Sequence, residues 1–213
     1  MLSYLLYTIK RIDLGQMKVF STRVAKPDPS LMRIWVMGIL ISACTYGVLF
    51  YVNAWLTSTL IFGTGVNWIY LPAGLRLFLT LIFGLPGAIG IALISFLISY
   101  SGALSDDLIV CIVTGLISGF APYIARIFVL SNVDLAPDLS NLNLSKLLIC
   151  ILVYAGLSAG LHQVWYSTVA LDDAGTMNHF FAMFIGDVLG SVLLISLIKY
   201  GLDFFKRFRK IDR

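Results

Sequence analysis

Glutamate is absent from this chain: all eleven acidic residues among the 213 are aspartate, and charged residues of both signs make up only 12%. A soluble domain carries about 25% charged residues, because its surface must face water. Half that value excludes an ordinary water-facing surface and points to lipid. Cysteine is scarce as well. Cys44, Cys111 and Cys150 each stand inside an apolar run, with no CxxC or Cys/His spacing, which argues against a disulfide framework or a metal site and for small packing residues. Catalytic signatures are missing: there is no HExxH, no GxSxG and no glycine-rich phosphate loop. The two Asp–Asp dipeptides, Asp106–Asp107 and Asp172–Asp173, read as solvated loop charges. The expectation is a protein that is not an enzyme and uses no metal or cofactor. The net charge of +4 does not imply nucleic acid, since the basic residues flank apolar segments, as topology signals and anionic-lipid contacts do.

What the chain has in abundance is apolar surface, 59% hydrophobic residues with a mean hydropathy of +0.93. A spanning helix needs about 20 mostly apolar residues. Six stretches qualify: Arg33–Leu56, Trp68–Phe83, Pro86–Tyr100, Leu108–Val129, Lys146–Thr168 and Asn178–Tyr200. The second and third, separated by Gly84 and Pro86, could also form a hairpin that only partly crosses. The fold expected is an all-α transmembrane bundle of about six spans. Residues 1–32 form a cytoplasmic segment and linker, 33–200 the bundle, and 201–213 a basic tail.

Orientation follows from lysine and arginine, which stay on the cytoplasmic side. Lys10, Arg11, Lys18, Arg23, Lys26 and Arg33 precede the first span; Arg126 and Lys146 bracket the fourth loop; Lys199, Lys206, Arg207, Arg209, Lys210 and Arg213 follow the last. The intervening loops hold no lysine or arginine and contain Asp106, Asp107, Asp172 and Asp173. Both termini are therefore expected in the cytoplasm. Met1–Gln16 has its charges after its apolar start, unlike a cleavable signal, and suits an amphipathic stretch on the inner surface. Ser21–Ser30, with Pro27 and Pro29, reads as a linker, and the aromatic-basic tail Phe204–Lys210 as a segment lying on the inner leaflet or docking a partner. Trp55, Trp68, Tyr70, Trp165 and Tyr166 are expected at the outer interface and Trp35 at the inner one. Asn and Ser residues in the loop Ser131–Ser145 offer caps for the fifth helix.

Small residues four apart mark faces where helices approach closely: Ala43 and Gly47, Gly115 and Gly119, Gly156 and Gly160, Gly186 and Gly190. Two charges stand inside apolar spans, Arg76 and Asp187. Each costs about 2.5–3.5 kcal/mol at the bilayer centre, so such residues pair or face a cavity. The second and sixth spans run in the same direction, and both charges fall roughly 12–14 Å below the outer boundary at about 1.5 Å per residue. An Arg76–Asp187 couple is thus geometrically allowed, as an ion pair between helices, as part of a ligand site or as part of a proton or ion path. Asn67, Tyr70, His162, Gln163, Asn178 and His179 lie near the same end and are candidates for lining a cavity open to that side.

The run Asn67–Trp68–Ile69–Tyr70–Leu71–Pro72–Ala73–Gly74–Leu75, continuing to Leu81–Ile82–Phe83–Gly84, resembles the W-x-P-[AS]-G-[IL] element of MASE1, with three residues between Trp68 and Pro72 where that element has one; MASE1 is a family of bacterial membrane sensor domains on histidine kinases and diguanylate cyclases. Gly186–Asp187–Val188–Leu189–Gly190 is similar to the G-D-x-x-G element of that family's last span. The resemblance implies an inner-membrane sensory module, with Pro72, Gly74, Gly186 and Gly190 in its core motifs. Family members usually have more spans and a cytoplasmic output domain, so this chain is expected to act through a separate kinase or cyclase, with a small-molecule ligand. Two alternatives stay open. One is the substrate-binding subunit of a small-molecule transporter, for which the Ala43/Gly47 stripe suits docking to a coupling subunit; the other is a structural subunit of a membrane complex.

Overall fold

The computed structural model describes residues 29–133, 136, 139–171 and 174–211. The expected amphipathic segment, most of the linker, and Asp172 and Asp173 lie outside the described residues. The chain divides into two units at Met37/Gly38; the described part of the first is the helical start of α1 (Pro29–Leu56), so Pro29 and Ser30 are helix and not linker. From Gly38 onward the elements are the rest of α1, a hairpin of β1 (Ile61–Gly63) and β2 (Val66–Asn67), then α2 (Leu71–Phe83), α3 (Leu85–Ile98), α4 (Leu108–Asn132), α5 (Leu144–Thr168) and α6 (Met177–Ile211). Among the described residues, five helices are long and apolar enough to cross a membrane, α1 and α3 to α6, with α3 extended by a wide helical turn at Ser99–Ala103. The short one is α2. Its 13 residues span roughly 20 Å at 1.5 Å per residue, against about 30 Å for a hydrocarbon core.

Burial is inverted relative to a soluble protein. Trp55, Val48, Ile109, Val164 and Leu144 are exposed, while Arg76, Asp187, Asn53, His162 and several serines and threonines are buried. Lipid makes this arrangement favourable, because apolar side chains need no shelter from it and polar ones do. The chain is a multi-pass membrane protein.

Glycine contacts show how the helices run. A methyl group on Gly119 would strike the Ala88 carbonyl oxygen, and one on Gly115 would meet the Ala92 carbonyl oxygen at 2.8 Å and the Phe96 nitrogen at 2.9 Å, so α3 and α4 are antiparallel. Gly38 faces Pro86, and Gly47 faces Ile94, so α1 and α3 run parallel. In α6, Gly186 abuts the Asn67 carbonyl and Gly190 the Tyr70 carbonyl, while Gly74 lies with its Cα hydrogens against Ser191; α2 and α6 therefore run parallel, as their common direction in the sequence requires. Gly156 is different. Among the described residues nothing lies within 4 Å of a methyl placed there, and one on Gly160 meets only Phe180 at 3.9 Å, so no close Gly156/Gly160 helix–helix face forms among them.

Local chemistry sets the helix ends. Pro72 and Pro86 occupy the first turns of α2 and α3, where a missing N–H costs nothing. Gly84 joins these helices at φ +61°, a left-handed value that a residue with a Cβ rarely adopts. The Asp107 carboxylate caps α4 by accepting from Ile109 N–H at 2.7 Å and Val110 N–H at 3.4 Å. Asn143 caps α5 by accepting from Lys146 N–H at 2.9 Å. The helix α6 continues past Tyr200 to Ile211, through most of the expected tail.

Candidate functional site

The segment between the hairpin and α2 is non-helical, with bends at Trp68 and Ile69, and a backbone amide shielded from water there needs a partner. Tyr70 N–H donates to the Gly186 carbonyl at 3.1 Å, which the missing side chains at Gly186 and Gly190 permit. Leu71 N–H donates to Asn53 Oδ1 at 3.0 Å, and Asn53 Nδ2 donates to Thr57 Oγ1 at 3.1 Å. The two motif blocks of the sequence thus meet directly. Their contact fixes where Arg76 and Asp187 lie.

Arg76 is 5% exposed and Asp187 1%. The guanidinium is held by two tyrosines: Nε donates to Tyr46 Oη at 3.1 Å, Nη2 donates to Tyr46 and, at 3.0 Å, to Tyr70, and the two hydroxyls bond each other at 2.8 Å. Its Cζ lies 5.1 Å from each ring centroid, within cation–π range. Among the described residues, Nη1 of Arg76 and Oδ2 of Asp187 find no hydrogen-bond partner. Neither a hydrogen bond nor a direct ion pair joins the two residues.

Both line one cavity of about 460 Å³, within the roughly 300–1,000 Å³ range of small-molecule sites. Helix α4 contributes Thr114 and Ser118, α5 His162 and Tyr166, and α3 with its wide turn Ser95, Ile98 and Ser99. Ser158 neighbours the Asp187 carboxylate on its other side without closing a hydrogen bond to it. The hairpin forms the roof. Gly63, Thr64, Gly65, Val66 and Asn67 face the cavity, and the turn packs beside His179, Tyr166 and Leu104. Gly65 has φ +71°, the left-handed value that the third residue of a type II turn requires.

His162 has a defined role in this wall. A carbonyl oxygen can only accept, so Nδ1 carries the proton it shares with Ser158 O at 2.8 Å. In the neutral ring Nε2 then accepts from Ser118 Oγ at 3.3 Å.

Of the residues expected to line a cavity, Asn67, Tyr70 and His162 do so together with Arg76 and Asp187. The other three do not. Gln163 uses its Oε1 to accept from Gly175 N–H at 2.9 Å, tying the loop after α5 to the bundle. His179 is buried outside the cavity, with Nδ1 2.7 Å from Thr176 Oγ1 and its ring edge-on to Phe62. Asn178 is exposed. Tyr70, expected both at the outer interface and on the cavity, and Tyr166, expected at the interface, both line the cavity. Sequence reasoning missed Tyr46, Thr114 and Ser118. A signal was present: Ser42, Tyr46 and Asn53 share one face of α1, and Thr114/Ser118 and Ser158/His162 are polar pairs at four-residue spacing. Among the described residues no three His, Cys or Asp side chains gather into a possible metal site.

The fold and site define a multi-pass membrane protein with a polar, roofed cavity. No family model, curated protein or solved structure matches the chain.

Proposed function

We propose that this chain is a bacterial inner-membrane binding module that holds a small polar ligand under the β1–β2 hairpin and reports its occupancy to a protein partner. One observation carries the reading. Two oppositely charged residues, each more than nine-tenths buried, line the same cavity, and each carries an atom that has no hydrogen-bond partner among the described residues. A buried polar atom without a partner costs about 1–3 kcal/mol, and more when charged. A purely structural ion pair would close that gap by direct contact, whereas a ligand site keeps it open.

In this reading the membrane is crossed six times, α2 completing its crossing together with the non-helical segment 66–70. Both termini are cytoplasmic, because Arg126 and Lys146 belong to the ends of α4 and α5 remote from the hairpin. The cavity then opens toward the periplasm. The resemblance to MASE1 supports a sensory role with a kinase or cyclase as partner, since its two blocks, around Tyr70 and Gly186, are the segments that position the two charges. Gly47 of the stripe considered for docking a coupling subunit lies against Ile94 within the chain, so that stripe does not favour the transporter alternative, which keeps the support of chain size and span number.

The test is native mass spectrometry of the full chain purified in nanodiscs, with melting measured against a small-molecule extract of the host. A bound small molecule, or a melting shift, that is present in the wild type and lost in Arg76→Ala supports the reading. Neither appearing in the wild type contradicts it.

A further inference from the structure

Counting donors and acceptors on the cavity wall narrows the ligand's chemistry, given the binding reading above. A guanidinium has five N–H groups. Three are spent on Tyr46 and Tyr70, and the two on Nη1 remain. Tyr46 Oη accepts twice from Arg76, so its own proton goes to Tyr70 Oη. Tyr70 Oη then accepts from both Tyr46 and Arg76, and its own O–H is left to donate. One side of the cavity therefore offers three donors beside a positive charge.

The other side offers acceptors. An ionised Asp187 has no proton to give, and its Oδ2 has no hydrogen-bond partner among the described residues. Ser118 directs its proton at His162 Nε2, which leaves its oxygen lone pairs for another donor. Thr114 lines the cavity as well, its hydroxyl beside that of Tyr166. The apolar part of the lining is Phe50, Ile61, Val66, Ile98, Leu104 and Met183, and Thr64, Asn67, Ser95, Ser99 and Tyr166 add further polar groups.

A simple anion would satisfy Arg76 and be repelled by Asp187; a simple cation would suffer the reverse. A ligand of zero net charge carrying both signs satisfies both in a medium where an unpaired charge is expensive. We infer that the cavity binds a zwitterion of the α-amino-acid type with an apolar side chain, its carboxylate on Arg76 and Tyr70 and its ammonium on Asp187.

The experiment uses the full chain in nanodiscs and isothermal titration with leucine, methionine and phenylalanine. Each is compared with its des-amino acid and its decarboxylated amine; for leucine these are 4-methylpentanoate and isopentylamine. The expected result is that at least one amino acid binds at least about tenfold more tightly than both of its analogues, since a site built around a charged partner rejects a ligand lacking it. In Asp187→Asn the preference for the amino acid over its des-amino acid falls toward unity. The wild-type comparison decides by itself if that variant does not fold. Equal binding of amino acid and des-amino acid to the wild type overturns the inference, as does binding of none of them. A different small molecule recovered from the cavity in that case leaves the binding reading standing, while a cavity that takes up nothing removes both.

Discussion

The amide hydrogen of Tyr70 is bonded to the carbonyl oxygen of Gly186 at 3.1 Å, joining the start of α2 to the middle of α6. That bond satisfies non-helical backbone inside a membrane bundle and sets Arg76, two turns further along α2, on the same cavity as Asp187, the residue after Gly186.

The contact leaves no room for side chains at the α6 glycines. Gly190→Ala is expected to destabilise the protein by about 1–3 kcal/mol, the usual range for overpacking. Gly156→Ala, where a methyl meets nothing within 4 Å among the described residues, is expected to be neutral or slightly stabilising, because alanine favours helix. Thermal melting of the two variants in the same detergent checks the contrast.

Asn53 serves two backbone-ordering bonds at once. Asn53→Leu strands the Leu71 amide, and a loss of about 1–3 kcal/mol is expected. Chemical unfolding of this variant measures it. A loss within experimental error would mean that another acceptor takes up that amide.

Arg76 is bonded to Tyr46 and not to Asp187. In the ligand-free protein a double-mutant cycle should therefore give a larger coupling energy for Arg76→Met with Tyr46→Phe than for Arg76→Met with Asp187→Asn. Melting of the single and double variants supplies both numbers. The reverse order would indicate a direct ion pair.

Adjacent aspartates before α4 are predicted to differ. Asp107 caps the helix, so Asp107→Ala is expected to cost about 0.5–2 kcal/mol. Asp106→Ala is expected to stay within about 0.5 kcal/mol, as surface changes do. The same melting assay separates them.

The helices were legible from sequence because runs of apolar residues long enough to cross lipid have few other uses. Arg76 and Asp187 were legible for the converse reason, that charge is rare where lipid is the solvent. The hairpin was not. Strands of three and two residues are too short to show an alternation, and Thr64–Gly65 between them is a weak turn signal. Tyr46 was hidden because a tyrosine in an apolar span suits lipid as well as a cavity, and only its alignment with Ser42 and Asn53 on one helix face distinguished it. Gln163 and His179 misled in the opposite sense, since proximity in depth does not reveal which way a side chain turns about the helix axis.

The central claim is a ligand cavity of mixed polar and apolar lining beneath the hairpin, open to the periplasm, and cysteine accessibility tests it most directly. Thr114 is buried yet lines the cavity. In a background with Cys44, Cys111 and Cys150 replaced by alanine, Thr114→Cys should react with a small, charged, membrane-impermeant thiol reagent added from the periplasmic side of spheroplasts. The Arg76→Ala and wild-type backgrounds should both allow it. Reaction only from the cytoplasmic face of inverted vesicles, or from neither face, would contradict the account.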